Sequence, residues 1–314
     1  MAKMEAFEAA PAERAGPSRA AAEVSVGGRR RGPRGVGRFV RSSPLGTVAV
    51  LFLAAVVVLA ILADVITYWD PLLTDYGSTR VPPSADHVLG TDHLGRDVWS
   101  RIVTGARISL FVALVAVLAG DGVGLVWGIV SGYFGGRVDL VSQRILDALL
   151  SFPGLILAML LLVGLGAGLS TVIVAIAVTR IPLSTRVIRS VALTTKSLAY
   201  VEAARTVGAS PLRILARHVA PQCIAPFLVI VSANIGVAIT TEAGLSFLGI
   251  GVPPPTPTWG NMLGGVLAES FRPPWWLVVY PGLALTLTVL AANLFGDALR
   301  DFLDPRLRGR LTDL

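Results

Sequence analysis

Residues 148–179 read ALLSFPGLILAMLLLVGLGAGLSTVIVAIAVT, a run that contains no charged side chain. A membrane-spanning helix needs roughly twenty apolar residues, so this run is too long for one ordinary span and too short for two. Its middle, residues 164–171, is rich in glycine and ends in serine and threonine, a pattern typical of a turn. We therefore divide the run at the glycines and predict one span over residues 141–164 and another over residues 169–188.

Four further stretches are apolar enough to cross a bilayer, and we predict spans at about residues 44–66, 108–132, 222–243 and 275–296. The chain has 314 residues, of which 54% are hydrophobic and 15% charged, and its mean hydropathy is +0.70. These proportions exclude an ordinary soluble domain of this length. The sequence thus predicts an all-α polytopic membrane protein with six transmembrane helices.

The distribution of basic residues predicts that both termini are cytosolic. Basic residues outnumber acidic ones in residues 1–41, and residues 180–217 carry seven basic residues and one acidic residue. Six spans place both segments inside, as the positive-inside rule requires. We interpret the net charge of +7 as this topology signal, so no nucleic acid partner is expected. Residues 1–41 are predicted to be a disordered basic tail, suited to anionic membrane lipids, and residues 42–314 the transmembrane domain.

A polar segment, residues 198–217, lies between the fourth and fifth predicted spans. Its sequence predicts a short helix, a glycine stop, and a second helix that begins at a serine and a proline. Leu212, Leu215 and Val219 form an apolar stripe, so we expect the second helix to lie along the membrane surface. The segment is either an amphipathic connector or an element that docks in a groove of a cytosolic partner. The residues concerned are Glu202, Ala203, Ala204, Arg205, Gly208, Ser210 and Pro211.

This segment resembles the hallmark of the inner-membrane permease subunits of ABC importers: Glu-Ala-Ala, three residues, Gly, and Pro thirteen positions later, here Pro221. The chain departs from the family pattern before that proline, where His-Val-Ala replaces the usual Ile-x-Leu. Further segments in the same order look like the C-type permease of dipeptide, oligopeptide and nickel importers, over roughly residues 38–308. They are HVLGTDHLGRD at 87–97, GARISL at 105–110, GYFGG at 132–136, LSFP at 150–153, EAGLSFLG at 242–249, PTPTWGNM at 255–262 and LRDFLDPR at 299–306.

The resemblance implies a type I ABC importer permease fold in the bacterial plasma (inner) membrane. The implied partners are a second homologous permease subunit, two ABC ATPase subunits and an extracytoplasmic substrate-binding protein. Residues 198–217 are then the coupling helix region, and ATP and Mg²⁺ belong to the ATPase subunits. We accordingly expect no enzymatic activity and no cofactor in this chain, whose two lysines, Lys3 and Lys196, follow no phosphate-binding loop. The implied cargo is a peptide, with dipeptides first, and with nickel, glutathione or haem as alternatives.

Charged and polar residues within the spans suggest a translocation path. Asp121 is expected either to contact the substrate or to form an interhelical hydrogen bond beside Gly120, Gly122 and Gly124, which allow close approach of another helix. The complete set predicted for the path is Asp121, Asn234, Thr241 and Glu242, although polar contacts between helices are a strong alternative. Two other classes of protein are considered as rivals. One is a secondary transporter driven by an ion gradient through Asp121 and Glu242, and the other is a scaffold protein.

The outer loop before the second span contains histidines and aspartates at spacings that weakly suggest a metal site. We expect these residues instead to pack the loop against the partner permease or to receive the binding protein, and we predict no metal site. The outer-loop residues singled out are His87, Asp92, Arg96, Asp97, Trp259 and Asn261. The single cysteine, Cys223, is expected to be a small apolar filler.

Overall fold

The structure, a computed structural model, describes residues 43–269 and 271–303. The predicted tail, residues 1–41, lies outside the described residues. The described part of the chain consists of helices and loops, with no β-strand beyond one isolated bridge between Thr91 and Asp97.

Most of the helices are joined by short connections. Residues 67–97 form a long folded loop, and residues 248–258 form a second, shorter one. In chain order the helices are α1 (Pro44–Ile61), α2 (Ala63–Ile66), α3 (Val98–Phe134), α4 (Gly136–Leu150), α5 (Gly154–Leu165), α6 (Leu169–Lys196), α7 (Ala199–Thr206), α8 (Pro211–Ile214), α9 (Ala220–Phe247), α10 (Trp259–Glu269) and α11 (Trp275–Leu303). A 3₁₀ turn covers Tyr76–Ser78, and a π-helical turn, Leu215–Val219, joins α8 to α9.

Five helices in the described residues are long and apolar enough to cross a membrane: α1, α3, α6, the continuous helix from α8 to α9, and α11. The pair α4 and α5 forms a sixth crossing if its two bent parts count as one span. The prediction of an all-α polytopic membrane protein is therefore confirmed. The predicted third span, residues 141–164, is divided by an 87° bend. Pro153 lies at this break and accounts for it, because a proline ring clashes with the preceding turn of a continuous helix.

The helix of the second predicted span extends beyond its predicted start, and the charged side chains in the added turns have partners. The second span begins at Val98 rather than near residue 108, with Asp97 as its N-cap. Arg101 in its first turns donates to the carbonyl of Pro71 at 3.0 Å. Arg107 donates to the carbonyl of Ala60 at 2.9 Å and pairs with Asp64 at 3.0 Å. Charge alone therefore underestimates the length of this helix.

The largest interface between helices joins α3 and α6. Glycines at 120, 124, 128 and 132 recur every fourth residue of α3 and lie directly against α6. A Cβ atom on Gly124 would lie 2.6 Å from Ser184 Cβ, and one on Gly128 would lie 2.7 Å from the carbonyl oxygen of Thr185. Gly122 instead has no atom within 4 Å of such a Cβ. The expectation of close helix approach therefore holds for Gly120 and Gly124 but not for Gly122.

The expectation that the second polar helix lies along the membrane surface is wrong. α8 passes through the π-helical turn into α9 without interruption, so the segment from Pro211 continues the helix of the next span and does not form a separate surface helix. Pro221 lies just after that turn, and the wider π register relieves the clash that its ring would make with the preceding turn. Leu212 is 72% exposed, whereas Ile214 and Val219 are buried.

Candidate functional site

The polar segment between α6 and α9 forms a compact elbow. α7 ends in a Schellman motif, in which the amide of Gly208 donates to the carbonyl of Arg205 and the amide of Ala209 to that of Ala204, both at 3.0 Å. Gly208 has φ +84°, a conformation that side chains rarely adopt. The predicted glycine stop is observed. Ser210 precedes α8 as predicted, but its side chain makes no capping hydrogen bond.

One face of this elbow is fixed to the helix bundle. Val201 on α7 and Ile214 on α8 are buried in a cluster with Ile188 and Ala192 of α6 and with Val219 of the π-helical turn. Burial of large aliphatic side chains of this kind stabilises the elbow by about 1.5–3 kcal/mol each. The elbow is therefore held rigidly at the end of the bundle, although it is short and polar.

The opposite face of the elbow is open. Val207, at the tip, is 89% exposed, and Leu198 and Tyr200 are also exposed. The polar and small members of the predicted set lie on this open side: Glu202, Ala203, Arg205, Gly208, Ser210 and Pro211 are exposed and Ala204 is half-buried. Exposed apolar side chains beside a positive-φ glycine form a surface that another protein can approach closely.

Lys196 anchors the start of the elbow. Its ammonium group donates to the carbonyl oxygens of Gly132, at 2.7 Å, and of Tyr133, at 3.3 Å, in the last turn of α3. A cation at this end of a helix satisfies free carbonyls and complements the helix dipole. The last residue of α6 is thereby tied to α3 immediately before α7 begins.

Asp121 lies at the contact of three helices. Its carboxylate accepts a hydrogen bond from the Ser184 hydroxyl on α6, and the Asn234 amide on α9 donates to both of its oxygens, at 3.0 and 2.9 Å. Asp121 and Ser184 have no exposed surface and Asn234 is 6% exposed. The structure brings together two residues of the predicted path and adds Ser184. The interhelical hydrogen bond anticipated for Asp121 is observed.

Glu242 is a second buried carboxylate, nearer the long loop. It accepts hydrogen bonds from Ser109 of α3, at 2.9 Å, and from Ser246 of α9, at 2.7 Å, and it is fully buried. Thr241 is half-buried, and its hydroxyl donates to the carbonyl of Val237 within α9. Within this chain, Glu242 connects helices, and among the described residues the Thr241 hydroxyl does not bond to its carboxylate.

The His87 and Asp97 side chains fasten the long loop to the start of α3. Asp97 accepts from the Ser100 amide at 2.8 Å, and its other oxygen is paired with His87 Nδ1 at 3.0 Å. The His87 ring stacks on Trp69, with 5.0 Å between ring centroids. The Asp97 carboxylate therefore caps α3 with one oxygen and holds the loop through His87 with the other.

The remaining outer-loop residues also make internal contacts. Asp92 accepts from Arg96 Nε at 2.6 Å and lies 3.6 Å from Arg101 Nε, and all three side chains are buried. Trp259 donates to the carbonyl of Ile102 at 3.0 Å, and Asn261 donates to that of Thr256 at 2.7 Å. In the described residues no three His, Cys, Asp or Glu side chains come together in a metal-binding group.

The 3₁₀ turn of the long loop is capped by an exposed carboxylate. Asp75 accepts from the Ser78 hydroxyl at 2.7 Å and from the Gly77 amide at 2.9 Å. These two hydrogen bonds lower the pKa of the Asp75 carboxyl below its usual range. The turn is consequently stabilised while this carboxyl is ionised.

Sequence reasoning missed the small polar partners of the buried carboxylates. Ser109 and Ser246 are single serines among apolar residues, and Ser184 lies between Arg180 and Arg186; serine is common where membrane helices pack closely. A signal existed in their spacing: Ser246 follows Glu242 by one helical turn. No pattern in the sequence pairs Ser109 with Glu242 or Ser184 with Asp121, since these contacts join distant helices.

The sequence and the helical fold place the chain in a known class of membrane protein. Residues 124–309 match the family described as "Binding-protein-dependent transport system inner membrane component". The match covers more than half of the chain, and the chain belongs to this family. It is therefore an inner-membrane permease component of a binding-protein-dependent transport system.

Curated relatives match over most of their length. The chain is 42% identical over 268 residues to a putative peptide transport system permease protein of Brucella suis biovar 1 (strain 1330), covering 85% of this chain and 89% of that protein. It is 41% identical over 272 residues to the glutathione transport system permease protein GsiD of Pectobacterium atrosepticum, covering 86% of this chain and 90% of that protein.

A solved structure has the same fold. An inward-facing structure of the MetNI methionine ABC transporter matches with a TM-score of 0.54 and 19% identity, covering 65% of this chain and 96% of that chain. The type I ABC importer permease fold expected from the sequence is thereby confirmed.

Proposed function

We propose that this chain is the transmembrane subunit of an ATP-driven importer of peptides, with dipeptides as the first expected cargo. The relatives named for peptide and glutathione transport support a cargo with a peptide backbone, and nickel or haem is a less supported alternative. The proposed complex contains a second homologous permease, two ABC ATPase subunits and an extracytoplasmic binding protein. ATP and Mg²⁺ would bind the ATPase subunits, so this chain performs no chemical step.

The observation that carries the proposal is the rigid elbow with one open face. We infer that α7 and the Gly208 turn sit in a groove of an ATPase subunit. Because Val201 and Ile214 are buried against α6 and the π-helical turn, a displacement of the elbow cannot be absorbed locally. The displacement would pass directly into α6, which precedes the elbow, and into α9, which follows it.

The mechanism inferred from this connection is alternating access. Closure of the ATPase subunits would move the elbows of both permeases together and tilt α6 and α9. Asp121 of α3 is tied to α6 by Ser184 and to α9 by Asn234, so the three helices would move as one body. Asp121, Asn234, Thr241 and Glu242 stay candidates for the translocation path, which in this proposal lies between the two permeases. Both termini are proposed to be cytosolic.

The coupling proposal is tested with Gly208→Val in the complete transporter. The chain provides a matched control, Gly249→Val, because Gly249 also has a positive φ, +78°, no atom within 4 Å of a Cβ, and a Schellman motif, but it lies at the other end of α9. We expect Gly208→Val to insert into the membrane at the normal level and to lose labelled-dipeptide uptake. Gly249→Val should retain most of the uptake. Equal uptake in both variants would contradict the coupling role of the elbow.

The cargo is tested separately by uptake of a dipeptide, a pentapeptide, glutathione and nickel in cells with and without this chain. Loss of dipeptide uptake on deletion, restored by the wild-type chain, is the expected result. Loss of nickel uptake alone would overturn the peptide assignment and leave the coupling proposal intact.

A further inference from the structure

We propose that α4 is an in-plane helix at the membrane–water interface and that Arg137 and Arg144 bind the phosphates of anionic lipids there. This lipid site is additional to the transport function. In this proposal α4 is the in-plane first part of the bent pair, and α5 is the part that enters the bilayer. The inference relies on the proposed orientation of the chain only to assign the site to the inner leaflet.

The geometry of the bent pair places α4 across the bundle rather than along it. α5 is almost wholly apolar, and α4 meets it at 87°. Two ion pairs join α4 to the basic end of α6: Asp139 with Arg189, and Asp147 with Arg186. The two aspartates are about 12 Å apart along α4, whereas the two arginines are about 4.5 Å apart along α6. Since α5 packs against α6, the 87° bend turns α4 across the end of α6, where charged residues collect.

The ion pairs leave a net positive surface on α4. Both acidic residues of this helix, Asp139 and Asp147, are neutralised by arginines of α6. Arg137 and Arg144 are exposed, and in the described residues neither forms an ion pair or a hydrogen bond. They are seven residues apart and so lie on the same face of the helix. Two unpaired guanidinium groups on one face are suited to phosphate groups, which they bind in a bidentate manner.

An apolar strip lies beside these two arginines. Val138, Val141 and Ile145 are 48%, 54% and 46% exposed. Their positions on the helix place them next to the arginines, while the opposite face is tied to the bundle by the Trp127 indole, which donates to Ser142 at 2.9 Å. A basic strip next to an apolar strip is the arrangement of helices that lie in the membrane interface.

Lipid explains this face better than the second permease does. A protein partner that covered Arg137 and Arg144 would have to supply carboxylates, because burying an unpaired charge is costly. Anionic headgroups supply the complementary charge, and acyl chains cover Val138, Val141 and Ile145 at the same time. The charge and the apolar strip thus point to a single occupant.

The first test measures binding of phosphatidylglycerol to the purified full chain by native mass spectrometry. The variant is Arg137→Gln with Arg144→Gln, and the matched control is Arg80→Gln with Arg272→Gln, two exposed arginines on the outer loops. We expect the α4 variant to bind phosphatidylglycerol about 30-fold more weakly, roughly fivefold for each arginine, and the control to bind it normally. Equal binding by the two variants would overturn the proposal.

The second test locates the apolar strip and does not depend on lipid affinity. A nitroxide is attached at Ile145→Cys in a Cys223→Ser background, and the chain is reconstituted in phosphatidylglycerol-containing vesicles with and without the second permease. We expect collisions with oxygen to exceed collisions with a water-soluble nickel chelate in both preparations. Shielding of the label from both reagents by the second permease would instead identify this face as a subunit interface and refute the lipid site.

Discussion

The packing of α3 on α6 predicts that Gly128→Ala destabilises the bundle, although alanine is the better helix former. The new Cβ would lie 2.7 Å from the carbonyl oxygen of Thr185, 2.9 Å from Ile188 Cβ and 3.0 Å from the amide nitrogen of Arg189. Two of these three atoms belong to the backbone of α6 and cannot rotate away. Restoring ordinary contact at 3.4 Å requires the two helices to separate by about 0.7 Å at this point.

The magnitude follows from the contacts that such a separation weakens. A gap of 0.5–1 Å removes about a quarter to a half of the dispersion attraction between facing atoms. Overpacking of this kind costs typically about 1–3 kcal/mol. The higher helix propensity of alanine offsets at most about 1 kcal/mol of that loss. We therefore expect a net destabilisation of about 1–2 kcal/mol.

The matched control is Gly122→Ala, six residues earlier on the same helix, because its Cβ would meet no atom within 4 Å. We expect Gly122→Ala to leave stability unchanged or slightly increased. Thermal unfolding of the purified chain in one detergent, followed by loss of the monodisperse peak, compares the two variants directly. Equal midpoints for Gly128→Ala and Gly122→Ala would refute the conclusion that close glycine packing holds α3 against α6.

Three further predictions concern polar contacts. Asp121→Ala should lower the free energy of unfolding by about 1–3 kcal/mol, because the Asn234 amide is left without its acceptor. Asp121→Asn should lower it by less. Normal stability of Asp121→Ala together with lost uptake would show instead that Asp121 acts on the substrate. Lys196→Met should speed amide hydrogen exchange in the last turn of α3, around Gly132. It should also lower the free energy of unfolding by about 1 kcal/mol, measured by thermal unfolding. Unchanged hydrogen exchange would contradict the anchoring role of Lys196. Asp97→Ala removes an N-cap and should lower the free energy of unfolding by about 1–2 kcal/mol, seen as faster proteolysis of the long loop at residues 67–97 with an unchanged rate of cleavage elsewhere.

The bend between α4 and α5 shows where sequence reasoning stopped. The glycines at 164–168 predicted the break after α5, but the predicted span over residues 141–164 ran through Pro153, the local signal for the bend. The ion pairs of Asp139 and Asp147 with α6 orient α4, and they join residues about forty to fifty positions apart in the chain. A local pattern carries no information on such partners.

The sequence by itself determined the class of fold, the approximate position of the spans and the polar elbow at residues 198–217. These properties depend on local features: apolar length, the absence of charge, helix stop signals and the order of short motifs. The tertiary structure decided which side chains meet. It buried Asp121 among three helices and Glu242 beside Ser109, and it left Arg137 and Arg144 without an ion pair or hydrogen bond to any other described residue. Those outcomes depend on how distant helices pack, because hydrogen bonds and ion pairs act only over a few ångströms in space, irrespective of separation along the chain.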